Sequence, residues 1–98
     1  MQHVFKTKLH RAQLRVFDFT GEDAKYAGPH AGKVYFSCSV LPASAHRSTA
    51  FSAGQTLYHG EELNTALAYI GNMIGVRSNE LRKQLPKRFH KYLEAERD

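Results

Sequence analysis

The spacing of apolar residues changes character near residue 60. Before it, alternation dominates. In "KVYFSCSVL" (33–41), Val34, Phe36, Cys38 and Val40 fall on one side of an extended chain, and Tyr35, Ser37, Ser39 and Leu41 on the other. A strand follows, with Pro42 ending it because proline has no N–H for a ladder. "QLRVFDFT" (13–20) is rich in β-branched and aromatic residues and predicts a second strand. "HVFKTKL" (3–9) pairs with it as a hairpin, although residues 5, 9, 12, 16 and 19 also line up at helical spacing. "GEDAKYAGPHAG" (21–32) is a loop by its Gly, Pro and Asp content. "PASAHR" (42–47) is a turn and "STAFSA" (48–53) a further strand. Gly54 interrupts, and "QTLYH" (55–59) is either a short strand or a lead into a helix.

After residue 60 the period lengthens. In "GEELNTALAYIGNMIG" (60–75), Leu63, Ala66, Leu67, Ile70, Met73 and Ile74 occupy an arc of roughly 120° at helical pitch. That stripe reads as core. Glu61 and Glu62 fall in the first turn, where the helix dipole favours acids, and Gly75 suits the position just past the end. Ser78 is placed to N-cap a last helix, on which Leu81, Leu85, Phe89, Tyr92 and Leu93 share a side. Pro86 must kink that helix or restart it. Strands first and helices last predict a small single α+β domain spanning residues 1–98. Its sheet is three- or four-stranded and mostly antiparallel, packed by one amphipathic helix and a kinked C-terminal helix.

Composition adds charge to this picture. The 98 residues carry 14 Lys and Arg against 9 Asp and Glu, a formal +5. That balance favours encounter with anions: nucleic acid, acidic protein faces or lipid headgroups. The basic residues concentrate in "LRKQLPKRFHKYLEAERD". On one ideal helix, Lys83, Lys87 and Lys91 lie within about 80° of arc opposite the apolar side, with Arg88 beside them. Arg82 falls inside the apolar arc, and Glu80 and Glu94 lie near the lysines. Such a row ordinarily is a solvated face; read functionally, it binds phosphates or an acidic protein. Lys83, Lys87, Arg88 and Lys91 are therefore the candidate contact residues, with Arg47 and His46 as a second patch.

Other chemistries are disfavoured. One cysteine, Cys38, precludes an internal disulfide and suits a reducing, cytoplasmic setting. The first residues lack the apolar stretch of a signal peptide, and no run is long enough to span a membrane. "GPHAGK" (28–33) is one residue short of a phosphate-binding loop, lacks the following Ser or Thr, and leads into a strand. Six scattered histidines without a CxxC predict no metal or other cofactor. Cys38 alternates with core residues, so it reads as a small buried hydrophobe.

His46, Arg47 and Ser48 in one loop, with Tyr58 and His59 at another junction, supply acid, base and phosphate-binding groups for metal-free RNA cleavage. In size and basicity the chain is similar to RelE-type endoribonuclease toxins, which begin rather than end with helices. The expected function is instead non-catalytic: occupation of a protein or nucleoprotein surface. Small virus-encoded inhibitors of host defence, anti-CRISPR proteins among them, share this size and character, and the analogy implies an inhibitor of a nucleic-acid-targeting complex. Direct DNA or RNA binding is the alternative, and the ribonuclease the third. A free sheet edge, or the side bearing Tyr35 and Leu41, offers a homodimer contact.

Overall fold

Four strands form one antiparallel meander in the computed structural model, which describes residues 1–21 and 28–95. Part of the expected loop, residues 22–27, lies outside them, as do residues 96–98 and the Glu94 side chain. The strands are β1 (Gln2–Lys6), β2 (His10–Asp18), β3 (Val34–Pro42) and β4 (Gln55–Gly60), in the order β1-β2-β3-β4. The helices are α1 (Leu63–Ile74), α2 (Ser78–Gln84) and α3 (His90–Ala95). This is the α+β arrangement expected, with the sheet complete at four strands.

The hairpin wins over the helical reading of residues 3–20. Thr7 N–H donates to the His10 carbonyl at 2.9 Å, and His10 N–H donates to Thr7 Oγ1 at 3.1 Å, closing the turn. Phe5 then lies opposite Ala12, and Leu14 opposite Cys38. Phe5, Ala12, Leu14, Val16, Phe36, Cys38 and Val40 point the same way and are buried under the helices. From α1 come Leu63, Ala66, Leu67 and Ile70; from the tail come Leu81, Leu85, Phe89 and Tyr92. Each Val, Leu, Ile or Phe among them withdrawn from water contributes roughly 1.5–3 kcal/mol. Cys38 is fully buried in this layer, and burial pushes its thiol up to about 11.

Helix boundaries differ from expectation in instructive ways. Gly75 does end α1, in the left-handed conformation (φ 74°), with its N–H donating to the Gly71 carbonyl at 2.8 Å. Glu61 and Glu62 precede the helix rather than opening it. Glu62 keeps extended backbone and accepts a 2.8 Å bond from the Thr65 hydroxyl. Ser78 is the first residue of α2, not its cap; Arg77 takes the cap position without a side-chain bond.

"STAFSA" is not a strand. Residues 51–53 form a short 3-10 turn, because β4 already occupies the free edge of β3. The loop instead crosses the far side of the sheet, where Phe51 lies under the Arg11 guanidinium at 5.8 Å.

Pro86 breaks the tail outright. Leu85 is extended (ψ 134°), as a residue before proline must be to avoid the ring. A 3-10 turn over Lys87–Phe89 follows, then α3. The apolar side survives the break: Leu81, Leu85, Phe89 and Tyr92 are all buried.

Candidate functional site

The broken tail distributes the predicted basic row over three pieces. Lys83 sits on α2, Lys87 and Arg88 on the 3-10 turn, and Lys91 on α3. A single helical arc therefore does not relate them. All four are exposed, yet three are engaged by the chain itself. Lys83 Nζ lies 3.4 Å from Glu80 Oε1. Arg88 donates a 2.8 Å bond to the Gln2 carbonyl and rests 5.2 Å over the Phe89 ring. Lys91 Nζ is 3.7 Å from Asp18 Oδ2 and 5.0 Å over Tyr92. Arg82, the cation that fell in the apolar arc, is half-buried and bridges α2 to α1, donating to Asn79 and Asn64.

Asp18 organises the end of β2. The Thr20 hydroxyl, then the Tyr92 phenol at 2.7 Å, bond to its carboxylate and hold it down at about 2, with Lys91 adding charge. Burial, together with that same carboxylate, raises the Tyr92 phenol to about 12. At neutral pH the Lys91 charge thus faces a fixed negative charge. His3, packed edge-on against Phe5 and Phe89, is held below its ordinary value by burial and then by Arg88.

The second predicted patch lies in the loop after β3. His46 Nδ1 accepts from the Ser48 N–H at 3.1 Å, and its backbone carbonyl, with that of Ala45, accepts from Arg11. His46 and Arg47 are exposed. His59, the proposed catalytic companion of His46, stands elsewhere. Arg11 pairs with Leu41 and His59 with Ser37, so their rows are four residues apart along β3, about 13 Å.

A different constellation emerges on the sheet side away from the helices. Register places Gln2, Arg15, Ser37 and His59 in one row and Phe17 with Tyr35 in the next. Lys6 and Arg11 share this side. Tyr35 is the hub. His59 stacks on it in parallel (5.9 Å, 6°). His30 meets it edge-on (5.1 Å, 84°), and Nδ1 of His30 lies 2.9 Å from the phenol oxygen. Phe19 closes the far side at 6.0 Å from both Tyr35 and His30.

Phe17, Phe19, His30, Tyr35 and His59 together line an open cavity of about 190 Å³. The Arg15 guanidinium sits 4.8 Å over Phe17 at its rim. The backbone fixes the cup: Phe19 N–H donates to Lys33 O at 2.9 Å and Gly32 N–H to Phe19 O at 2.8 Å, carrying the β2–β3 pairing past the strand ends.

The loop after β3 covers the end of this side that bears Leu41 and Arg11. Leu41, expected to be exposed there, is only 4% exposed, because the 43–54 loop lies across it. Arg88 reaches the β1 edge from the tail, where it binds the carbonyl of Gln2, the residue opposite Arg15. Of the residues predicted from the sequence, Arg88 is bonded to the β1 residue Gln2 and His46, through its own carbonyl, to the β2 residue Arg11. Tyr35 was placed on the correct side by alternation, but its neighbours depend on register.

Among the described residues, no three of His, Cys, Asp and Glu come together as metal ligands would. No described helix is long and apolar enough to cross a membrane. No family model, curated protein or solved structure matches the chain.

Proposed function

We propose that this is a non-catalytic binding protein whose partner presents nucleic acid, free or within a nucleoprotein complex, to the sheet side opposite the helices. One observation carries this reading. Lys6 and Arg15 project exposed from that side, Arg88 approaches it from the β1 edge, and no Asp or Glu projects from it on the four strands. A surface of cations without carboxylates attracts phosphates, and the formal +5 of the chain assists encounter. An inhibitor of a nucleic-acid-targeting complex remains within this reading, with the nucleic acid of the complex as the surface it occupies. His46 sits in the loop after β3 against Arg11, whereas His59 lies in the row of Ser37, so the pairing considered for cleavage from sequence is not assembled, which favours binding.

The test is a salt titration of affinity for labelled single strands and duplexes. Affinity is expected to fall linearly on a double-logarithmic plot, with a slope of about 0.7 per neutralised phosphate for single strands. The Arg15→Ala, Arg88→Ala double variant should flatten that slope by one to two phosphate equivalents, about one per cation removed. No measurable binding at low ionic strength would overturn the reading.

A further inference from the structure

We infer that the cup around Tyr35 receives one unpaired nucleobase of a single strand, with Arg15 placed for the adjoining phosphate. The inference rests on the nucleic-acid reading above and deepens it by naming the site and the form of the ligand.

Shape comes first. At about 190 Å³ the cup is smaller than the roughly 300–1,000 Å³ pockets that engulf a whole small molecule, and it is open on one side. It suits one flat ring presented from outside. Its walls are π-faces and edges: Tyr35 and His59 parallel, His30 and Phe19 around them. Bases stack on such faces whatever their identity, because every base has a π-face.

Polar groups come second. The His30 and His59 ring nitrogens and the Tyr35 hydroxyl are the hydrogen-bonding atoms of an otherwise apolar wall. They are the kind of group that meets the edge of a base. Charge comes third. The Arg15 backbone lies one row, about 7 Å, from the pair Phe17–Tyr35, and its guanidinium reaches over the Phe17 ring at the edge of the cup, where a phosphate next to the bound base would pass.

A duplex keeps its bases stacked inward and offers no free face, so the ligand is a strand without a partner. A second copy of this chain fits less well. A two-fold contact centred on the cup would bring the cationic sides of both copies together.

The experiment measures fluorescence anisotropy of the full chain with a labelled strand of about ten nucleotides, within the usual site sizes. The strand is used intact and with abasic sites that keep every phosphate. Both are run as RNA and as DNA to identify the sugar preferred. The intact strand should bind at least tenfold more tightly than the abasic one. Tyr35→Ala should weaken the intact strand on the order of ten- to a hundredfold and leave the abasic strand unchanged. Tyr35→Trp should restore binding, since the larger ring still stacks.

The comparison of intact and abasic strands uses the unaltered protein, so it holds even if Tyr35→Ala fails to fold. Equal affinity for both strands overturns the cup while leaving the nucleic-acid reading intact. Absence of binding to either at low salt overturns both. A concentration-dependent dimer abolished by Tyr35→Ala, with strand affinity unaltered, assigns the cup to a second copy and overturns the inference.

Discussion

The two sides of the sheet are built from alternate residues of the same strands, and they solve different problems. Toward the helices, Ala12, Leu14, Val16, Phe36, Cys38 and Val40 are mostly aliphatic or small, and all are buried. Away from them stand Arg15, Phe17, Tyr35 and His59, interleaved one for one with those core residues. Aliphatic side chains have little to gain except from burial, so they need a cover. Aromatic rings with polar edges pack against one another at 5–6 Å and still present usable faces. One side thus specifies the fold, while the other is arranged around a hub that no helix covers.

The largest test of this division compares removal of one side chain from each layer. Leu67→Ala deletes a fully buried contact from α1 and should cost about 2–5 kcal/mol. In a domain whose total stability is about 5–15 kcal/mol, urea denaturation would show that loss directly. Arg15→Ala alters an exposed residue and should change stability by no more than about 0.5 kcal/mol, while lowering strand affinity. If Arg15→Ala destabilises as much as Leu67→Ala, the outer array is a second core and the contrast fails.

The titrating groups on the helix side give a second contrast. Cys38 moves from an ordinary 9.0 to about 11, and Tyr92 from 10.0 to about 12, both chiefly because burial opposes the anion. The unfolded chain releases these protons first. Their contribution to stability is therefore complete below pH 9 and disappears as pH rises from 9 through 12. Thermal melts across that range should show the fall, and Cys38→Ala should remove its earlier part, between pH 9 and 11.

At the acid end the sign reverses for Asp18, which falls from 3.8 to about 2. Its contribution is present above 3.8 and is lost as pH drops through about 2. His3, lowered by burial and then by Arg88, takes up its proton at lower pH in the fold than in the unfolded chain; its share begins to be lost as pH falls below 6.5. Asp18→Asn should cost about 1 kcal/mol at neutral pH, the worth of a hydrogen bond, and the deficit should shrink toward pH 2. A deficit constant with pH would mean that packing of the phenol, rather than the carboxylate charge, holds Tyr92.

Much of the fold was legible because period and burial coincide. Val34 to Leu41 alternated without interruption, and α1 carried its whole stripe. The strand expected at 48–53 failed for a non-local reason: its place beside β3 was already filled by Gln55–Gly60. Leu41 failed with it, since only the path of that loop buries it. The site was harder to see. Alternation placed Tyr35 on the outer side, but nothing local says that Phe17 will lie opposite it, or that His30 will return to bond its hydroxyl. The first meeting is fixed by the register of β2 on β3, and the second by the bonds of Phe19 to Lys33 and Gly32 that turn the chain before β3. The basic tail misled in the opposite sense: a conspicuous cluster in sequence became three separate pieces once Leu85 was forced extended before Pro86.

The smallest predicted effect separates the tail from the sheet. Lys83 and Arg88 were equivalent members of one row in the sequence. Lys83 now lies on α2 in a surface pair with Glu80, with both side chains more than half exposed, a contact worth a fraction of a kcal/mol. Arg88 lies beyond the break, bonded to the strand residue that faces Arg15. Lys83→Ala should therefore leave stability within about 0.5 kcal/mol and the salt dependence of strand binding unchanged. Arg88→Ala should reduce that salt slope by about one phosphate equivalent. Each variant is compared with the unaltered chain over the same salt series, so differences in folding appear separately, in the melt. A slope that responds to Lys83 and ignores Arg88 would move the phosphate contacts from the sheet to α2, and the cup would then lack the backbone path that brings a base to Tyr35.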